Sequence, residues 1–148
     1  MLDPQAIAEH VRTGMLANDR ATQGLGIAIT SIAPGRATLE MTVRADMLNG
    51  FDICHGGFIT TLADSAFAFS CNARNDMTVA SGLSIDFLAP AREGDRLTAV
   101  ATEVSLAGRT GVYDVNVHNQ RGEAIAVFRG RSYCMKGKHT VPLDAAAR

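Results

Sequence analysis

The chain has 148 residues, 47% of them apolar and 20% charged, with a formal net charge of -1. Such a chain suits one folded domain with a substantial core and is too apolar for disorder. The near-neutral balance gives no basic footprint for nucleic acid, and no apolar run approaches the length of a membrane-spanning helix.

Asp3-Pro4 opens a short helix, with an N-cap residue followed by proline at the first helical position. Ile7, Val11 and either Met15 or Leu16 give it an apolar side, and it ends near Asn18-Asp19, so residues 1–20 form an N-terminal helical segment. Residues 25–32 and 37–43 read as two strands around the turn dipeptide Pro34-Gly35. Leu39, Met41 and Val43 alternate with Thr38, Glu40 and Thr42, the period of a half-buried strand. Residues 44–50 connect to the next element.

After His55-Gly56-Gly57 the pattern turns helical. Phe58, Leu62, Ala66 and Phe69 form one stripe, and Ile59, Ala63, Phe67 and Ser70 form the adjacent one. A helix apolar over most of its circumference is buried. The only formal charge between His55 and Arg74 is Asp64. It sits mid-helix, beyond any capping role, where an unpaired carboxylate is costly.

Beyond Asn75-Asp76 the chain reads as strand: residues 79–88 up to Pro90, 97–106, 111–118 and 124–135, joined by tight turns at Glu93-Gly94-Asp95, Ala107-Gly108-Arg109 and Asn119 to Gly122. The small, polar tail of residues 137–148 is expected to be flexible. The sum is an α+β domain over residues 1–148, an antiparallel sheet of about six strands curled around one long helix. One helix covers only part of such a sheet, which leaves surface for a second subunit.

Asp64 is the residue equipped for chemistry, as a general base on water or as a nucleophile, and burial should raise its pKa. The first backbone N–H groups of the helix lack intrahelical partners and sit at the positive end of its dipole, and Gly56 and Gly57 let a ligand approach them closely. They form a candidate oxyanion site. At 1.5 Å rise per residue Asp64 lies about 12 Å along the axis from Gly56. One chain therefore cannot bring both groups to one bond, whereas a two-fold dimer could set Asp64 of one subunit against Gly56 of the other.

The residues also allow plainer roles. Asp64 could be a structural carboxylate bonded to Asn49, Asn18 or the backbone, and His55 could orient the loop ahead of the helix or contact substrate. Cys54 beside His55 is a weak candidate for a thiol pair, because adjacent side chains point apart. His10, His118 and His139 are scattered, with no metal-ligand spacing. Arg92, Arg96 and Arg109 lie in turns, where they could meet phosphates or simply be solvated. Three cysteines without Cys-x-x-Cys spacing, and an N-terminus without a secretory pattern, fit a reducing cytoplasm.

From about residue 18 to about residue 136 the chain resembles the hotdog-fold acyl-CoA thioesterases, and among them the phenylacetyl-CoA thioesterase type. The resemblance rests on Asn18-Asp19, Met47-Leu48-Asn49-Gly50, His55-Gly56-Gly57, Leu62-Ala63-Asp64-Ser65, Asp86 to Pro90, Gly94-Asp95, Gly111 to Asp114 and Phe128-Arg129-Gly130. It implies a hotdog fold and hydrolysis of a small aromatic or medium-chain acyl-CoA. It implies a catalytic set of Asp64, Gly56, His55, Asn49 and Ser65, and a substrate-binding set of Asn18, Gly57, Phe87, Pro90 and Arg109. Ser65 stands where relatives often carry threonine. No metal and no cofactor are implied, coenzyme A being part of the substrate. The partners implied are acyl-CoA and further copies of the chain, a dimer with shared active sites and then a tetramer. Two other readings stay open: a hydratase or dehydratase on acyl thioesters, and a non-catalytic acyl-CoA-binding protein.

Overall fold

The computed structural model describes residues 2–143. Helix α1 (Pro4–Asn18) starts as the sequence predicts, with Asp3 accepting a hydrogen bond from the Ala6 amide at 2.7 Å and proline in the first turn. A second, five-residue helix, α2 (Arg20–Gly24), follows at once and was not expected. It is too short to show an apolar period, and its N-cap, Asp19, serves also as the C-cap of α1.

Six strands form one antiparallel sheet in the order β1-β2-β4-β5-β6-β3: β1 (Ala28–Ala33), β2 (Arg36–Thr42), β3 (Asp76–Phe87), β4 (Arg96–Ala107), β5 (Thr110–His118) and β6 (Ala124–His139). Between β2 and β3 runs the long helix α3 (Gly56–Asn72), packed across one face of the sheet. This is the hotdog arrangement that the resemblance implies. β1 begins three residues later than predicted because Leu25 caps α2, and β3 begins three residues earlier, directly after the turn at Asn75.

The core lies between α3 and the inner rows of the sheet. On β5 Gly111, Tyr113, Val115 and Val117 are buried while their neighbours are not, the strand period of two. Leu39 and Met41 of β2, Leu97, Ala99 and Ala101 of β4, and Phe128 of β6 complete the floor. Phe67 is the centre of the helix face, with ring centroids 5.6 Å from Tyr113 and 5.9 Å from Phe128. Burying one such side chain contributes about 1.5–3 kcal/mol.

The tail departs from expectation. β6 continues through Gly137 to His139, and the segment after it is tied down. The Asn75 side chain holds Val141 from both sides, accepting from its amide at 2.8 Å and donating to its carbonyl at 2.9 Å. Thr140 donates to the Asn72 side chain at 2.7 Å. A small, polar segment is therefore ordered by two asparagines at the end of α3, which composition alone does not reveal. The expected tail residues 144–148 lie outside the described residues.

Gly130 of β6 lies under the Phe67 ring, where an added Cβ would come within 2.8 Å of three ring atoms. Gly130→Ala is expected to lower stability by about 1–3 kcal/mol through overpacking, read as a lower urea midpoint with an unchanged denaturant slope.

Candidate active site

The loop from Asn49 to His55 sets the start of α3. Asp52 adopts φ 58°, a left-handed turn that aspartate tolerates. The Asn49 side chain accepts from the Phe51 and Ile53 amides at 2.9 and 3.4 Å, so it closes its own loop. The backbone amides of Cys54 and His55 bond to Ala91 and Met47, pinning both ends of the motif.

His55 is the N-cap of α3. Its Nδ1 accepts from the Gly57 amide at 3.1 Å, and its carbonyl accepts from the Phe58 amide at 3.0 Å. An accepting Nδ1 places the ring proton on Nε2, which is left as a donor facing outward. Of the first three helical amides, Gly57 and Phe58 are thus committed. Among the described residues the Gly56 amide has no partner. This resolves the glycine pair into two roles: Gly57 is capped by His55, and Gly56 holds the free donor at the positive end of the helix.

Gly56 opens onto a cavity of about 550 Å³, lined also by Asn49, Cys54, Phe87, Leu88 and Pro90. Its volume and largely apolar lining suit a small-molecule ligand. The Phe87 ring lies against the helix start, with its Cζ 2.8 Å from where a Gly56 Cβ would be, so a larger residue there would have to push the ring aside. Phe87 and Pro90 are therefore gathered with Gly56 and Asn49 around one cavity.

Asp64 lies elsewhere. The buried positions of α3 leave one stripe open, Gly57, Thr61, Asp64 and Ala68, spaced as one helix face. The reading of a helix buried over most of its circumference holds, and Asp64 occupies the exception. It is half-buried, and among the described residues it has no hydrogen-bond or ion-pair partner. The structural role that would bond it to Asn49, Asn18 or the backbone finds no support. Burial first, and the charge of Asp19 second, push its pKa above the usual carboxylate range.

The remaining expected residues divide. Asn18 is the exposed last residue of α1, next to Asp19. Ser65 is buried and turned from the open stripe toward α2, where its hydroxyl lies 3.1 Å from that of Thr22. Arg109 is not brought to the cavity of this chain. It lies in the β4–β5 turn, donating to the Cys134 carbonyl at 3.5 Å, because the hairpin carries it to the other end of the sheet. Cys54 is buried and its thiol is pushed up to about 11, which ends its candidacy as a nucleophile. No cluster of three or more His, Cys, Asp or Glu side chains occurs among the described residues. The Asp19–Thr22 pair beside Ser65 was not expected, since five-residue α2 gives no periodic signal.

A six-stranded antiparallel sheet around a long helix, with an amide-lined cavity at the helix start and a lone carboxylate two turns on, defines the hotdog class of enzymes. The sequence profile of the thioesterase superfamily matches residues 51–126, and the chain belongs to that family. It is 46% identical over 126 residues to the acyl-coenzyme A thioesterase PaaI of Escherichia coli strain K12, covering 85% of this chain and 90% of that protein. The structure of the E. coli PaaI protein from the phenylacetic acid degradation operon superposes with a TM-score of 0.89 at 43% identity, covering 92% of this chain and 99% of that one. A Streptococcus mutans protein solved with acetyl CoA bound superposes with a TM-score of 0.73 at 25% identity, covering 76% and 90%.

A carboxyl whose folded pKa is raised contributes stability at low pH that is lost as pH rises through that pKa. Replacing Asp64 with a neutral isostere removes this loss. Asp64→Asn is therefore expected to melt at or above the wild-type temperature at neutral pH. The difference should shrink as pH falls through the carboxylate range, followed by circular dichroism.

Proposed function

We propose that the protein is an acyl-CoA thioesterase acting on a small aromatic acyl group, phenylacetyl or hydroxyphenylacetyl, or on a medium-chain one. The observation that carries this is Asp64, a half-buried carboxylate without a partner on the open stripe of α3. The similarity to the E. coli thioesterase supports the substrate class.

As general base, Asp64 takes a proton from water while the oxygen adds to the thioester carbon. The carbonyl oxygen gains charge and meets the free Gly56 amide. Collapse breaks the C–S bond, CoA leaves as thiolate, and the proton held by Asp64 neutralises it. In the nucleophilic variant the carboxylate oxygen attacks instead, giving an acyl anhydride that water then cleaves. Either route uses only water and the chain's own groups, with CoA departing as part of the substrate. The Nε2–H of His55 and the amide of Asn49 flank the carbonyl, Phe87 and Pro90 line the channel, and Asn18 assists beside Asp64. Arg109 serves the nucleotide phosphates from the subunit across the interface.

The working unit is a two-fold dimer. Asp64 and Gly56 are eight residues apart on one helix, about 12 Å along the axis, too far to act on one bond. β3 supports the pairing: it is a twelve-residue edge strand bonded only to β6, and Met77, Val79, Leu83 and Phe87 along it are exposed. A long apolar edge of this kind calls for a partner. The outward rows of β6, with exposed Val127 and Tyr133, would join dimers into a tetramer. Three free thiols favour a cytoplasmic setting.

Thiol release from a panel of acyl-CoAs that includes phenylacetyl-CoA tests the reaction. Wild type should turn over, and Asp64→Asn should lose about 100-fold or more. Intact ligand bound without release would instead mark a binding protein. Sharing of the site has its own test: Asp64→Asn and Gly56→Val, each inactive, should on co-refolding regain about a quarter of wild-type activity, because each mixed dimer keeps one intact site. Mixtures that stay inactive would place the whole site within one chain.

A further inference from the structure

Asp19 sits at the junction of α1 and α2. One carboxylate oxygen accepts from the Thr22 amide at 3.0 Å and the other accepts from the Thr22 hydroxyl at 2.7 Å. The Thr22 hydroxyl in turn lies 3.1 Å from Ser65 Oγ. Thr22 is 1% exposed and Ser65 7%. A carboxylate only accepts, so the Thr22 proton goes to Asp19, and the Ser65 proton must then go to Thr22.

The other hydroxyls of the helix behave differently. Thr60 and Thr61 bond back to the Gly56 and Gly57 carbonyls at 2.7 and 2.9 Å, and Ser70 bonds back to that of Phe67 at 2.8 Å. Such back-bonding is the ordinary fate of a hydroxyl inside a helix. Ser65 instead reaches out of α3, and among the described residues it makes the one side-chain hydrogen bond between α3 and the α1–α2 segment. The tie lands beside Asp64 on one side and beside Asn18 on the other.

We propose that the Asp19–Thr22–Ser65 chain is a positioning device for the reacting carboxylate, fastening the α1–α2 junction to α3 at the residue after Asp64. This rests on the reading of Asp64 as base or nucleophile. Asp19 and Thr22 touch neither substrate nor reacting atoms; they act through Ser65, through the placement of Asn18, and through charge.

The surroundings isolate that charge. The sheet residues beneath α3, among them Leu39, Met41, Ala99, Val115 and Phe128, are uncharged. Glu103, near the far end of the helix, is held by Arg74 at 2.7 Å and by the Tyr113 hydroxyl at 3.0 Å. On β3, Asp86 lines an outer groove with Asp114 and Arg129, and Asp76 lies beyond the helix end near Arg74. On α3 itself the buried Cys71 thiol, raised to about 12, stays neutral. Asp19 is the group whose negative field adds to burial in raising the proton affinity of Asp64.

The test is the pH profile of kcat/KM for acyl-CoA hydrolysis. Asp19→Asn keeps the shape and lets the amide donate to Thr22, while removing the charge. Its acid limb should move to lower pH, whereas Asp19→Glu should keep the wild-type limb. Thr22→Val keeps the charge and cuts the tie; it should leave the limb in place and lower kcat by about 10-fold to 100-fold with KM unchanged, the scale of a small misplacement at a reacting centre. An Asp19→Asn limb that coincides with wild type, or a Thr22→Val enzyme with wild-type kcat, would overturn the proposal, whatever either does to the melting temperature. If Asp19→Asn does not fold, Thr22→Val alone decides. Failure of the underlying reading looks different: Asp64→Asn itself would then remain active.

Discussion

A carboxylate placed on an apolar helix and given no partner costs folding free energy, and much of this molecule is arranged to keep it so. Asp64 is screened from the sheet by the rest of α3 and from bonding by the outward direction of its stripe. The single charged neighbour that bears on it has its own sign. Structural needs would have paired it or made it apolar. On the proposed reading what is gained is basicity, since a carboxylate that binds its proton more firmly is better at removing one from water.

The other half of the proposed chemistry is an amide left free at the helix start. Helix starts expose several N–H groups, and here a histidine N-cap consumes that of Gly57 and its carbonyl that of Phe58, so that among the first three amides the one at Gly56 remains. His55 therefore contributes by occupying its neighbour's amide and by sending its remaining ring proton outward. The Phe87 ring packs directly against Gly56, so the helix start and β3 meet at the glycine. The motif is thus a piece of geometry as much as a set of reactive groups.

The hotdog fold was legible because its parts are strongly periodic. The alternation on β2 and β5 and the double stripe on α3 each follow from burial, and Pro34-Gly35 and Asn119 to Gly122 punctuate them. Asp64 stood out as the lone charge in its helix. Other features were hidden because long-range partners create them. The order of Thr140 and Val141 depends on Asn72 and Asn75, and the link from Asp19 through Thr22 depends on a hydroxyl 46 residues later in the chain. Five-residue α2 carries no period at all. The distance of Arg109 from the cavity of its own chain was hidden because turn position does not say which end of a sheet a hairpin occupies.

The strand order has a consequence for the chain while it is being made. β3 finds its only bonded neighbour in β6, with Asp76 opposite His139 and Phe87 opposite Ala126. On a ribosome β3 emerges well before β6, and it must wait, with its apolar residues uncovered, until the last strand arrives. β4 and β5 can zip onto β2 in the meantime, leaving a four-strand sheet of β1, β2, β4 and β5 with β3 unpaired and the β6 position unfilled. The asparagine clamp at residues 72 and 75 then closes over Thr140 and Val141 only once those residues have emerged. Truncations upstream of residue 140 would therefore yield trapped, aggregation-prone nascent chains rather than shortened enzymes.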